Sequence, residues 1–574
     1  MSEMTELAFG SAATHTTRPD ASHTPRSPDL RSSAKQFALA SLDNALVRHT
    51  LGLICFVSIA VTFVIWGATR LDIGHQEART AMATREPLGP VGQSFGGLDP
   101  AVFPGSLVLP KLWASFEDDI AGAESIRWPE AILAIVLGIV LALRTEMIAG
   151  KSAAIWVGLA WFSSIAVMHR SGEFGIDVTG SFGLLLALDR TIAKNGRLDW
   201  LTGLFVAVAF LCAGLPPVIL VTAASIALCC NSAGLTLSYL AVVIAAIGGW
   251  SAWALSAISA EAWAAAIALP VTSRSGTNFP VTALMLCMPA ILFVPALLGR
   301  KARDGWSKAS HDYVNGWWTV AGLCLFAGTV LPQFGKSALL QIVAGCAIGT
   351  GHAWATALAR RSEAEAGFER LWLQIATGTF VIAAFLAIPL LAYVSVTIPY
   401  YRGIATVAIG IVVAAAIVFA SGLASRDMRR VAIGFMMACL VAKIAHTSIL
   451  VPEWNYRQGQ GPWGRAVGQW VPEGWPIYTL NGWPADFAFA TGHNFRQITH
   501  PRFLPDAAKS PDERPSFILL HLADFEHWPK SAPPITKMFE FHDHSGQRVS
   551  KVLARTGPEK PAWQKLIYRN PLTK

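Results

Sequence analysis

Charge is what this chain has least of. Only 14% of its 574 residues are Asp, Glu, Lys or Arg, against 53% hydrophobic. Soluble domains carry about 25% charged residues, so a soluble globular enzyme is excluded. Nucleotide-binding signatures are missing too: no P-loop and no dinucleotide glycine pattern occurs. The cysteines Cys55, Cys212, Cys229, Cys230, Cys287, Cys324, Cys346 and Cys439 all lie in apolar stretches, and the polar C-terminal tail has none. Free cysteine behaves there as a small hydrophobe. Without CxxC or His/Cys spacing, neither a disulfide framework nor structural zinc is expected. No internal repeat is evident, which weighs against a transporter built on inverted repeats.

What the chain does have is a series of apolar stretches long enough to cross the ~30 Å hydrocarbon core as helices. The class is an all-α polytopic membrane protein. Residues 1–48 form a Ser/Thr/Pro/Arg-containing arm, expected to be disordered and cytoplasmic. Span 1 covers about residues 51–69. Spans 2 to 7 follow at about 128–143, 152–168, 178–193, 199–212, 215–230 and 235–256. Spans 8 to 13 lie at about 281–299, 315–331, 337–358, 371–394, 403–422 and 431–450. Gly214-Leu215-Pro216-Pro217 breaks spans 5 and 6 apart.

Thirteen spans place nearly every short basic cluster on one side. Arg144/Lys151, Lys194/Arg197, Arg300/Lys301/Arg303, Arg360/Arg361 and Arg426/Arg429/Arg430 all become cytoplasmic. The net charge of +8 therefore reads as membrane orientation, and no nucleic-acid partner is expected. Several Trp, including Trp128, Trp250, Trp317 and Trp318, fall at predicted span ends, as interfacial belts require. Residues 49–450 form the membrane core, with a first outer loop at 70–127. Residues 451–574 read as a small extracytoplasmic α/β domain, with strands at Pro476–Leu480 and Ser516–Leu520.

Ionisable groups at the outer face are where chemistry is sought, because charge is expensive near hydrocarbon. The first such group is the stretch Leu71–Arg85, LDIGHQEARTAMATR, with Asp72, His75, Glu77, Arg79 and Arg85. The second is His169, Arg170, Glu173 and Asp177, and the third is Lys336, after Pro332 and Phe334. A carboxylate can take a proton from an acceptor while fixed cations stabilise a departing phosphate. Two carboxylates can instead hold a divalent ion against that phosphate. The plainer readings are interface charges, an Arg170 pair with Glu173 or Asp177, and a snorkelling Lys336.

This ordered series resembles the GT-C glycosyltransferases, in the branch of the lipid A aminoarabinose transferase and the protein O-mannosyltransferases. Gln76-Glu77-Ala78-Arg79-Thr80 stands where the family's first loop reads Asp-Glu-x-Arg-Tyr. Phe103-Pro104-Gly105 is the nearest match to its Lys-Pro-Pro, and Arg127-Trp128-Pro129 matches the Arg-x-Pro that opens the second span. Arg170-Ser171-Gly172 through Asp177 matches the segment supplying the second-loop acid. Cys212-Ala213-Gly214-Leu215-Pro216 matches a Lys-Gly-Pro break without its lysine. Leu331-Pro332-Gln333-Phe334-Gly335-Lys336 resembles the segment whose cation meets the donor phosphate.

The resemblance implies an inner-membrane glycosyltransferase that uses a polyprenyl-phosphate-linked sugar donor and a lipid, glycan or protein acceptor. It implies that Glu77 is the base or acceptor-orienting group, assisted by Asp177. Arg79 and Lys336 would face the donor phosphate, with His75, Arg85 and Arg170 completing the substrate-binding set. Glu77 and Asp177 are the pair that would hold a divalent cation such as Mg or Mn. The alternatives are a non-catalytic homologue that binds a lipid-linked sugar, and a transporter or flippase.

Overall fold

The structure, a computed structural model, describes residues 105–116, 124–169, 178–229, 234–257, 278–299, 303–359, 367–458, 461–480, 485–505, 515–542 and 550–556, with isolated positions between them. All belong to one compact unit, Ser58–Lys574. The N-terminal arm and, apart from Val64, span 1 lie outside the described residues.

The chain is mostly helical. Within the first predicted outer loop lies a short helix, α1 (Gly105–Ala114). Span 2 is α2 (Glu124–Ala149), and span 3 is α3 (Lys151–Ser163) continued after a break by α4 (Ile165–His169). Next come α5 (Val178–Ala193), α6 (Trp200–Ala213) and α7 (Pro216–Leu228). Gly214 closes α6 at φ 76°, a value that favours glycine, and Pro216-Pro217 open α7, where proline's missing N–H costs nothing. Span 7 is α8 (Leu237–Ala257).

Span 8 differs from the single helix expected. It is α9 (Phe279–Leu286) followed by a 3-10 segment, Ala290–Leu298, bent by 94°. Pro289 and Pro295 cannot donate to an α-helical ladder here. Neighbours take up the freed groups, as membrane depth demands. Ile165 N–H donates to the Met288 carbonyl at 2.9 Å, and the Thr350 hydroxyl to the Ala290 carbonyl at 2.8 Å.

The remaining helices are α10 (Lys308–Val330), α11 (Pro332–Ala359), α12 (Phe368–Leu386), α13 (Ile388–Thr397), α14 (Arg402–Ala424) and α15 (Met428–Ala445). Helix α10 starts seven residues before predicted span 9, because Ser307 caps it by accepting from Ser310 N–H. That early start makes Trp317 a fully buried core residue, and Trp250 is buried against Phe210. Neither sits in an interfacial belt as expected. The expected outer loop Pro332–Lys336 is instead the first turn of α11, with Pro332 as its first residue.

By length and apolar character, six helices among the described residues can cross a membrane, or seven with the bent pair. Two further apolar helices, α6 and α7, are shorter. Helix α11 is the axis of the bundle: 78% of its most apolar window is buried, against 11% for the α12–α13 span.

A π-helical turn, His446–Leu450, leads from α15 into α16 (Val451–Gln458) and α17 (Gly461–Trp470). Then comes a five-stranded sheet. Its strands are β1 (Ile477–Thr479), β2 (Phe495–Gln497), β3 (Phe517–His521), β4 (Ile535–His542) and β5 (Ser550–Thr556), with α18 (Ala485–Thr491) and α19 (Leu522–Glu526) between them. The strand order is β2-β1-β3-β5-β4, with β1 parallel to β2 and β3, and β5 antiparallel to β3 and β4. Both predicted strands are present, as β1 and β3. Leu519 packs with Val467 and Phe487 on one face, and Ile518 and Leu520 pack with Leu504 on the other. Burial on both faces explains the continuous apolar run.

Candidate functional site

His75, Glu77, Arg79, Arg85, Arg170 and Asp177 lie outside the described residues, and so does the Lys336 side chain. Of the acidic stretch, Ala78 and Ala81 are described: both are helical and fully buried. What the structure does describe is the scaffold that carries these residues, and it has two distinct ends.

At one end, Arg144 near the C-terminus of α2 donates to Asp189 on α5 at 2.9 Å, and Tyr313 near the N-terminus of α10 donates to the same carboxylate at 3.0 Å. Arg190 on α5 clamps Asp199, the N-cap of α6, through Nε at 2.8 and 3.0 Å and through Nη2. Asp199 also accepts from Thr202 N–H at 2.9 Å. The Arg190 side chain holds the Asp199 carboxyl well below the usual carboxylate range. Trp306, just before α10, donates to Thr356 near the C-terminus of α11 at 2.9 Å.

These contacts fix directions. The ends of α2, α5 and α11 meet the starts of α6 and α10 there, so the starts of α2, α5 and α11 and the end of α6 gather at the opposite end. At that opposite end stand the described parts of the motif series. Arg127, at the start of α2, is 2% exposed. Asp177 directly precedes α5 in the chain, and Lys336 is the fifth residue of α11. Gly105 opens α1 and packs on the end of α6: a Cβ there would lie 2.8 Å from the Leu211 carbonyl and 2.9 Å from Cys212 Sγ. Two separate pieces of the series, Gly105 and Cys212, are thus in contact. Gly335, next to Lys336, leaves room for the Phe279 ring, which a Cβ would meet at 2.9 Å.

Gln341 ties the third turn of α11 to the start of α5. Its amide donates to the Ser337 carbonyl on α11 at 3.1 Å and to the Ser181 carbonyl on α5 at 3.4 Å. Both side chains are fully buried, and the Ser181 hydroxyl and Gln341 Oε1 make no hydrogen bond. Gln341 is the tenth residue of α11 and Ser181 the fourth of α5, so both N-termini point to one end of the bundle but are offset along its axis.

One residue escaped the sequence reading. Lys443 is fully buried in the last turn of α15, inside predicted span 13. Asp189, within predicted span 4, is likewise buried. The available signal was a lone basic residue in an apolar run, which hydropathy averages out. Among the described residues no group of three or more His, Cys, Asp or Glu converges as a metal site. The six described cysteines are free thiols.

No protein-family model matches the chain, and no curated protein matches it by sequence. In three dimensions it matches two crystal structures of ArnT from Cupriavidus metallidurans. With the apo structure the TM-score is 0.59 at 16% identity, covering 89% of this chain and 100% of that one. With the structure bound to undecaprenyl phosphate it is 0.59 at 14% identity, covering 88% and 99%. The chain has the ArnT fold. The helical scaffold with apolar spans followed by a small C-terminal sheet, expected from the sequence, is therefore present. The match covers 89% of the chain, although the motif series itself ends at Lys336.

Proposed function

We propose that the chain is an inner-membrane glycosyltransferase that moves a sugar from a polyprenyl-phosphate donor to a lipid, glycan or protein acceptor. One observation carries this reading: the starts of α2, α5 and α11 and the end of α6, each adjoining a segment of the motif series, gather at one end of an ArnT-like bundle. That one of the ArnT structures is bound to undecaprenyl phosphate supports a lipid-phosphate donor.

In the proposed reaction Glu77 takes the proton from the acceptor hydroxyl. The acceptor oxygen attacks the anomeric carbon, and the bond from that carbon to the phosphate oxygen breaks. The leaving phosphate carries off the electron pair, with its charge met by Arg79 and Lys336. Asp177 assists Glu77, and His75, Arg85 and Arg170 bind the substrates. Glu77 and Asp177 would also hold a divalent cation such as Mg or Mn. The reacting end faces away from the cytoplasm, with the C-terminal domain on the same side and the N-terminus inside.

The test is transfer from a radiolabelled polyprenyl-phosphate sugar by the purified protein, wild type against Glu77→Gln and Asp177→Asn. Strong loss in both variants is expected, and turnover indifferent to both changes would sink the catalytic assignment. Donor binding without turnover in the wild type would favour a non-catalytic homologue. Adding EDTA to the same assay checks the metal: loss of turnover restored by Mg or Mn is expected, and unchanged turnover would remove the cation. A transporter reading draws on the buried Lys443 and the bent span. It predicts movement of lipid-linked sugar across a vesicle membrane with no transfer.

A further inference from the structure

Helix α9, the half of span 8 that precedes the bend, is tied to α11 at both of its ends. At its start, Phe279 packs against Gly335 in the first turn of α11. At its far end, the thiol of Cys287, which closes α9, is hydrogen-bonded to the thiol of Cys346, about three turns further along α11. One turn beyond that, the Thr350 hydroxyl donates to the Ala290 carbonyl at 2.8 Å. Helix α9 therefore runs beside the first turns of α11, in the same sense.

The contact at the start of α9 is a wedge. The Phe279 ring stands between two glycines that belong to different helices. A Cβ on Gly328, near the end of α10, would lie 2.2 Å from Phe279 Cε1 and 2.8 Å from Cδ1. A Cβ on Gly335 would lie 2.9 Å from Cε2 and 3.1 Å from Cδ2. One edge of the ring thus faces α10 and the opposite edge faces α11. Carbon atoms rest about 3.5–4.0 Å apart, so neither position accepts a side chain while the ring is there. Both glycines are buried. Leu331 alone separates α10 from α11, so the ring fills a helical hairpin about one turn inside its apex.

A flat, stiff ring held this way fixes the separation of the last turn of α10 from the first turn of α11, because close-packed interiors pass a displacement on to their neighbours. Lys336 follows Gly335 directly in that first turn. Phe334 and Ser337, on either side of this pair, are buried. The backbone that carries Lys336 is therefore placed by what packs on Gly335, and that is Phe279.

We propose that Phe279 is a positioning residue. Its ring sets the stand-off between α10 and α11, and so the place from which Lys336 meets the phosphate of the polyprenyl-phosphate donor. The proposal rests on the glycosyltransferase reading for the role of Lys336. Phe279 acts only through that lysine and touches no reacting atom. Misplacing a fixed group by about an ångström is enough to weaken its action on a bound substrate.

The experiment measures binding of undecaprenyl phosphate to the full chain in lipid nanodiscs for wild type, Phe279→Ala, Lys336→Met and the double variant. Phe279→Ala is expected to weaken binding about tenfold, the scale of a hydrogen bond to a charged group. In the Lys336→Met background the same change should cost less than about twofold, because its effect runs through the missing lysine. Lost packing alone would act equally in both backgrounds. An equal loss in both, or no loss from Phe279→Ala, would overturn the proposal and leave the glycosyltransferase reading standing. Should Phe279→Ala fail to fold, Gly335→Ala makes the same test without leaving a cavity. Its methyl presses on the ring from the α11 side, and the same dependence on Lys336 is expected. A wild-type protein that binds no undecaprenyl phosphate at all would overturn both readings.

Discussion

The two ends of the helical bundle differ in how their described charged groups are paired. At the Asp189 end, charges close on one another: Asp189 is held by Arg144 and Tyr313, and Asp199 by Arg190 and Thr202. At the Lys336 end, the Ser181 hydroxyl and Gln341 Oε1 are buried and make no hydrogen bond, and small residues such as Gly105 and Gly335 bring backbones and rings close together. A closed network stabilises or orients helices. An open one costs free energy until something fills it, which is a reason to look for a ligand there. Hydrogen-bond satisfaction by itself does not separate the two ends, since His352 Nε2, beside Trp306, is also buried without a hydrogen bond; the pairing of charges at the Asp189 end does.

The largest expected effect sets the two ends directly against each other. Glu77→Gln should lower the transfer rate by about 10²- to 10⁴-fold, the usual worth of a general base, with the melting temperature unchanged. Asp189→Ala should do the reverse. It strips Arg144 and Tyr313 of their shared partner, which costs about 3 kcal/mol for a largely buried pair. Transfer per folded molecule should stay at the wild-type level. If Asp189→Ala removed activity from protein that remains folded, the contrast between a structural and a chemical end would fail.

Gly105→Val is next. The added side chain would push into the Leu211 carbonyl and Cys212 Sγ. Overpacking of this kind typically costs about 1–3 kcal/mol. Because α1 belongs to the first predicted outer loop, the affinity for donor should fall along with the melting temperature. A variant with wild-type stability and affinity would show that the contact between the two motif segments is incidental. Gln341→Leu should be milder, about 1 kcal/mol for the lost hydrogen bonds. Its effect should be read as a raised KM for donor, since it loosens the start of α5, next to Asp177, against α11. An unchanged KM would make Gln341 a packing residue only.

The fold was legible in the sequence because membrane helices announce themselves by length and apolar content, and because Gly214 and Pro216-Pro217 break a helix wherever they stand. The bend in span 8 was less visible. Hydropathy sums the run 281–299 without regard to Pro289 and Pro295, which disrupt the α-helical ladder in its middle. The first turn of α11 was mistaken for a loop because proline usually signals one, although the first position of a helix also suits it. The candidate site residues lie outside the described residues, and what the directions of α2, α5, α6 and α11 bring to one end is the chain that flanks them. Lys443 was not legible. One lysine in a mostly apolar span of about twenty residues barely alters a hydropathy average, and its burial is a property of the packed bundle.

The smallest effect concerns the closed end and can be read by pH. The folded Asp199 carboxyl titrates below its unfolded value because of Arg190. A depressed carboxylate contributes stability that is fully present above the unfolded value of about 3.9 and is lost as pH falls through the folded one. The pair's contribution to the wild-type melting temperature should therefore be fully present and constant between pH 7 and 5 and should be lost only below about pH 4. Asp199→Asn keeps a good helix cap while removing the charge, so it should abolish that acid-dependent part and leave the Thr202 cap in place. Partly exposed ion pairs are worth about 0.2–1 kcal/mol, which sets the scale of the shift. A variant whose melting curve still tracked the wild type below pH 4 would show that the Arg190–Asp199 clamp orients α6 without stabilising it.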